Sequence, residues 1–265
     1  MGLLSGIAHY SYTRKVSNMD ADNFNKRKYE LRDEIEKSEN KILDLGSPDK
    51  EVFKILIHNE MPFYDQITQL IHALVIYTVG EGLLTERKIS IPHTGMFRML
   101  SINMPFAVVV RAWEISMLTS IGYRPKGYFF HFIDDKTRHY SDESSINISA
   151  YIEGATSAIV RVSWESMLPL VEKKYGSKGR WFDLWPENVQ LLRHIRNAVS
   201  HDWMFNISSN NDLYRQKEYS WEHGINNLQF EDKNGDAVDI GKHVFTKFYF
   251  TDILALITTV WDDMN

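Results

Sequence analysis

Arg196, Asn197 and His201 stand close together in the stretch Leu192-Arg193-His194-Ile195-Arg196-Asn197-Ala198-Val199-Ser200-His201. Their side-chain types suit one kind of chemistry. A histidine, with an ordinary pKa of about 6.5, both takes and returns a proton near neutrality. An arginine carries permanent charge in a fork that matches phosphate oxygens, and an asparagine is a neutral group able to orient an imidazole or hydrogen-bond a phosphate. Cleaving a ribose phosphodiester without a metal asks for these abilities: a 2′-hydroxyl loses its proton, a 5′-oxygen gains one as it leaves, and charge builds on a phosphorane-like transition state. In that reading His201 transfers the proton or aligns the 2′-oxygen, Arg196 holds the phosphate and Asn197 positions. Arg193 and His194 are the neighbouring candidates for substrate binding.

The spacing of Arg and His says little by itself. With 13 arginines and 10 histidines in 265 residues such intervals arise by chance, and the chain holds three. Arg87 to His93 carries Pro92 and Arg124 to His131 carries Pro125; a proline removes a donor and restricts its predecessor, so neither reads as one helical unit. Arg196 to His201 lies in a clean amphipathic run. At about 100° per residue, Leu192, Ile195 and Val199 form an apolar stripe, widened by Leu191 and Ala198, while Gln190, Arg193, Arg196, Asn197, Ser200 and His201 share the polar arc. Asn197 and His201 are one turn apart. Arg196 and His201 sit about 140° apart on a regular helix, so either the helix ends near His201 or the site is completed from elsewhere. A solvated helix face gives the same pattern, and a His near a helix C-terminus is favoured by the dipole alone.

The run Arg196-Asn197-x-x-x-His201, preceded by Leu-Leu-Arg-His-Ile, resembles the Arg-polar-x-x-x-His signature of HEPN domains. The resemblance is specific over about ten residues. It implies an all-α fold, a HEPN-like helical bundle with an N-terminal helical extension over 1–60 and the HEPN-like domain over 61–265, carrying a small β-hairpin insertion near the C-terminus. It also implies a metal-independent endoribonuclease that leaves a 2′,3′-cyclic phosphate. Such proteins serve as toxins or phage-defence effectors, without a cofactor, as homodimers whose two motifs line one cleft, with an antitoxin protein as partner in toxin–antitoxin pairs. The alternative is a HEPN-fold binding module for a nucleotide, RNA or a protein partner that does no chemistry.

Composition frames these expectations. A chain 43% apolar buries a large core, and the absence of cysteine excludes disulfides, thiol catalysis and Cys-type zinc sites and fits a cytoplasmic location. The start, Met-Gly-Leu-Leu-Ser-Gly-Ile-Ala-His-Tyr, lacks a secretory pattern, and the apolar stretches 67–79 and 250–261 are too short to span a bilayer. Net charge is −5, unusual for a protein that grips long nucleic acid. Glu172 to His201 nevertheless carries six basic residues (Lys173, Lys174, Lys178, Arg180, Arg193, Arg196) against three acidic ones, a local +3 on an acidic body. That suits a short single-stranded footprint, any acidic ligand, or plain solvated surface.

The elements that position the motif follow from periodicity and punctuation. A charged helix is expected from Asp20 to Leu45, ended by Gly46, and a second from Ser47-Pro48, with Ser as cap and Pro in the first turn. Further helices are expected from about Pro62 to Glu86 and from Phe97 to Ile121, stopped by Gly122 and Pro125. Gly127 to Asp135 reads as a strand or a packed loop. Ile146 to Tyr175 is a long helix, Pro186 opens the motif helix, and Phe245 to Trp261 closes the chain as an apolar helix. Leu228 to Ile240, turning at Asn234-Gly235, is a hairpin signal, because Asn-Gly accepts the positive φ of a tight turn.

Other constellations are weaker. No His-Glu-x-x-His occurs, and His58 and His131 lack the spacing that would converge ligands on a metal. Asp134-Asp135 and Asp262-Asp263 read as surface. His223 and His243 flank the hairpin, where spatial approach to the motif helix is not readable. Trp181, Trp185 and Trp203 bracket that helix and are candidates for base stacking, although most tryptophans are core.

Overall fold

The computed structural model describes residues 21–44, 46–84, 97–100, 106–134, 149–176, 185–206, 217–220, 227–248 and 250–265. They belong to two compact units, one built on residues up to 145 and the other on 146–265. The chain is mixed α/β, which corrects the all-α expectation: a five-stranded sheet and a two-stranded one stand beside six α-helices among the described residues.

In the first unit helix α1 (Ala21–Lys37) is followed by strands β1 (Ile42–Leu43) and β2 (Glu51–His58), helix α2 (Tyr64–Leu84), strands β3 (Phe97–Leu100) and β4 (Phe106–Val110), helix α3 (Ala112–Ser120) and strand β5 (Gly127–Asp134). Strand β5 is central. It pairs antiparallel with all of β2 on one edge; on the other, β1 joins its start in parallel and β4 its end antiparallel, with β3 outside β4.

The helix expected from Ser47 is instead strand β2, and the one expected from Phe97 to Ile121 is helical only in its second half, as α3, its first half giving β3 and β4; each difference has an identifiable reason. Ser47-Pro48 looks like a helix start, but burial along β2 alternates: Ile55 and Ile57 are buried and Phe53 half-buried on one face, while on the other Val52 and Lys54 are exposed and Leu56 half-buried. Phe106-Ala-Val-Val-Val110 is a continuous apolar run without period, which buried strands and helices share, and its β-branched residues favour the strand. Helix α1 also ends earlier than expected, at Lys37, and the N-terminal extension is a helix leading into strands.

The aromatic side chains of β5 make this unit's core. Phe53 stacks on Phe132 at 4.1 Å, and the Tyr128 hydroxyl meets that of Thr68 on α2 at 3.0 Å. Gly127 stands where β5 starts against β2; a Cβ there would lie 2.8 Å from the Ile57 carbonyl oxygen. At the middle of β5, His131 is fully buried between two carboxylates. Its Nδ1 meets Glu51 at the start of β2, and its Nε2 lies 3.1 Å from Asp44, just past β1. Arg111 donates to the Asp44 carbonyl at 3.1 Å and pairs at 3.0 Å with Glu114, whose carboxyl is pushed up by burial and partly restored by that guanidinium.

The second unit packs helices α4 (Ser149–Tyr175), α5 (Glu187–Val199) and α6 (Phe250–Met264) against one another. The pair β6 (Glu218–Tyr219) and β7 (Leu228–Gln229) adjoins α5. The chain reverses at Asn234-Gly235, where Gly235 has φ +84° and Asp232 Oδ1 accepts the amides of Asn234 and Asp236. A 3-10 turn at Val244–Thr246 precedes α6, where a longer helix from Phe245 is expected. The fully buried Asp239 ties this region down. It accepts the Gln229 amide at 2.9 Å and pairs with Lys242 and Lys247 at 3.2 and 3.0 Å. No helix among the described residues is long and apolar enough to cross a membrane.

Candidate functional site

Helix α5 carries the Arg-Asn-His motif, and its sequence explains its seat. Pro186 caps the start with extended backbone, and its carbonyl accepts the Gln190 amide at 3.0 Å. Val189, Leu191, Leu192, Ile195, Ala198 and Val199 are buried among the helices of the unit. Burying about six such apolar side chains, each worth roughly 1.5–3 kcal/mol for the larger ones, fixes the helix and so the residues on its other side.

The expected polar arc is narrower than its sequence suggests. Gln190 is buried: its amide nitrogen donates to the Trp185 carbonyl, and its oxygen receives Lys217 at 3.4 Å. His194, expected beside Arg193 as a substrate-binding residue, is buried too. It is 8% exposed, with its ring 4.7 Å from that of Tyr219 and 5.0 Å from that of Phe230, and burial, reinforced by Arg193 and Lys217, holds its pKa at about 3. A neutral imidazole in an aromatic cage is a core group, so His194 is not placed where a substrate would meet it. Arg193 remains half-buried on the helix surface.

Arg196 and Asn197 are brought together. Both are half-buried, and Arg196 Nη1 lies 3.5 Å from Asn197 Oδ1, the outer limit of a hydrogen bond. The Arg196 Nε is buried and meets no acceptor among the described residues. A guanidinium with a buried donor that meets no acceptor among the described residues is poorly satisfied as it stands.

His201 lies beyond the helix, which ends at Val199. The Ser200 amide donates to the Arg196 and Asn197 carbonyls and the His201 amide to that of Ala198 at 2.9 Å, tightening the last turn. His201 is exposed at the turn that follows. Of the two alternatives posed by the helical arithmetic, an early helix end is the one observed.

That turn holds unusual backbone. Asp202 and Trp203 have φ of +53° and +64°, consecutive non-glycine residues in the left-handed region, which is rare for a residue as bulky as tryptophan. Hydrogen bonds impose it: Val244 donates to the Trp203 carbonyl at 2.8 Å, Met204 bridges to His243, and Phe205 exchanges bonds with Lys242 and Gly241. The Trp203 ring therefore lies near-parallel to that of His243, 15° apart at 6.0 Å, and 4.9 Å from that of Phe245. All three are half-buried. His243 Nδ1 accepts the Phe245 amide at 3.2 Å, which puts the proton of the neutral ring on Nε2.

Comparison with protein-family models, curated proteins and solved structures gives no match. The site's chemistry therefore rests on its own geometry.

The placement of His243 beside the motif turn has no signature in the sequence, since it depends on pairing between Met204 and His243 across a long interval. Trp185 is core, 3% exposed and tilted against Trp164 at 6.2 Å. Arg180, Trp181 and His223 lie outside the described residues. Among the described residues no three His, Asp or Glu side chains converge as metal ligands: His131 separates its two carboxylates, and Asp263 accepts from Asn188 at 2.7 Å.

Proposed function

We propose that this protein is a metal-independent endoribonuclease of the HEPN type, working through Arg196, Asn197 and His201 as a toxin or defence effector. The observation that supports this best is the Arg196 guanidinium, half-buried with an Nε that meets no acceptor among the described residues, one short turn from an exposed His201. Arg196, steadied by Asn197, takes the scissile phosphate. An imidazole takes the 2′-hydroxyl proton, the 2′-oxygen attacks phosphorus, and the 5′-oxygen leaves with a proton, giving a 2′,3′-cyclic phosphate and a 5′-hydroxyl. One His201 serves one of those proton transfers at a time, and two copies in a homodimer serve both.

The test is cleavage of single-stranded RNA in EDTA by the wild type, Arg196→Ala and His201→Ala. Loss of the acid–base imidazole is expected to cost about 10²- to 10⁴-fold in rate, and loss of the guanidinium a comparable factor. RNA left intact by the wild type overturns the nuclease reading; RNA bound yet intact makes the protein a binding module instead. Mixing His201→Ala into the wild type lowers activity beyond simple dilution if the site is shared between copies, because a mixed dimer holds one imidazole where two are needed.

A further inference from the structure

We infer that the half-buried aromatic cluster Trp203, His243 and Phe245 is a subsite that stacks an unpaired nucleobase next to the phosphate site. The inference rests on the nucleic-acid reading of Arg196 and His201 and names which part of the polymer that region takes.

Three observations converge on it. The first is backbone: Asp202 and Trp203 are both left-handed, a conformation costing roughly 1–2 kcal/mol per residue for side chains with a Cβ. Strain of this sort persists only where surrounding bonds over-determine it, and it gathers at binding sites. Here the bonds from Val244, Lys242 and Gly241 hold the segment after His201 in that form. The second is what the strain accomplishes. It turns the largest side chain of the segment onto the near-parallel ring of His243 instead of into the core, where Trp185 and Trp164 are sequestered. A partly open face of Trp, His and Phe, with Met204 37% exposed beside it, fits a flat heteroaromatic ligand. The third is the neighbour: Asp202 alone separates Trp203 from His201, and the half-buried guanidinium of Arg196, whose Nε meets no acceptor among the described residues, stands on the preceding helical turn. A base on a stacking surface and a phosphate on a guanidinium are the two halves of one nucleotide. A base in a duplex has both faces covered, so the ligand is single-stranded.

Binding of a short 2′-deoxy oligonucleotide, which has no 2′-hydroxyl to attack and stays whole, tests the subsite apart from cleavage. In the wild type, an abasic site moved along the oligonucleotide is expected to weaken binding about tenfold at one or two positions. Trp203→Leu is expected to weaken the intact oligonucleotide by a similar factor and to erase the abasic effect, while Trp203→Phe stays close to wild type. Because the abasic scan leaves the protein unchanged, a folding defect in Trp203→Leu does not decide the matter. Binding with a flat scan overturns the stacking subsite and leaves the nuclease reading intact. A position-dependent scan in a wild type that cleaves no RNA supports the subsite and removes the nuclease. No binding at all overturns the subsite.

Discussion

Replacing His194 by Leu should change how the protein responds to acid in a way that can be worked out beforehand. Burial holds the folded imidazole at about 3, against about 6.5 in the unfolded chain. Above pH 6.5 the ring is neutral in both states, and its contribution to stability is fully present. Between 6.5 and 3 the unfolded chain binds a proton that the folded one refuses, so stability falls with pH at about 1.4 kcal/mol per unit. Integrated from pH 7 to 5, the loss is about 2 kcal/mol. Leu is close to His in volume and cannot titrate, but it gives up the ring contacts with Tyr219 and Phe230, at about 1 kcal/mol. The variant should therefore be about 1 kcal/mol less stable than wild type at pH 7 and about 1 kcal/mol more stable at pH 5. Urea unfolding of both proteins at the two pH values measures the crossing, and the difference between proteins cancels every other titrating group. Parallel pH dependence in the two would refute the assignment of His194 to a dry aromatic cage and return it to the accessible face of α5.

Gly127→Ala is expected to destabilise by about 1–3 kcal/mol, because its Cβ would meet backbone at 2.8 Å and Leu56 Cδ1 at 2.9 Å, whereas Gly154→Ala, in α4 with nothing within 4 Å, should stabilise by about 0.5–1 kcal/mol. Thermal melts of the two variants should shift in opposite directions. Asp239→Ala leaves Lys247 and the Gln229 amide without their carboxylate and should cost about 3 kcal/mol in urea unfolding; a loss below about 1 kcal/mol would show that the region after β7 does not depend on it.

What the sequence makes legible is local. The extent of α4, the apolar stripe of α5 and the Asn-Gly reversal follow from residues a few positions apart, while the aromatic run from Gly127 leaves strand and packed loop open. The sheet is another matter. Glu51 to His58 alternates in burial but not in residue type, since Val52-Phe53 and Ile55-Leu56-Ile57 run together, and the Ser-Pro before it carries the stronger, helix-start signal; Val108-Val109-Val110 has no period to read. The site divides the same way. Arg196, Asn197 and the burial of their helix's opposite face are readable from spacing, while the cage around His194 requires Tyr219 and Phe230, and the ring beside Trp203 comes from His243. Those partners are 25 to 40 positions away, and no short-range rule ties them together.

His131 has a consequence for how this fold can vary. One buried imidazole meets a carboxylate at each nitrogen, and the three come from β5, from the start of β2 and from the residue after β1. Replacing His131 by an apolar residue takes the shared imidazole from Glu51 and Asp44, of which Asp44 keeps Lys54 at 3.3 Å, and replacing Glu51 takes the hydrogen bond from one nitrogen of a fully buried ring. Each single step is costly, and the triple exchange for apolar side chains is cheap by comparison. Positions 44, 51 and 131 should therefore be inherited as a block, kept together or lost together. In distant relatives whose other residues have drifted beyond recognition, that correlated triplet is the trace of this sheet to look for.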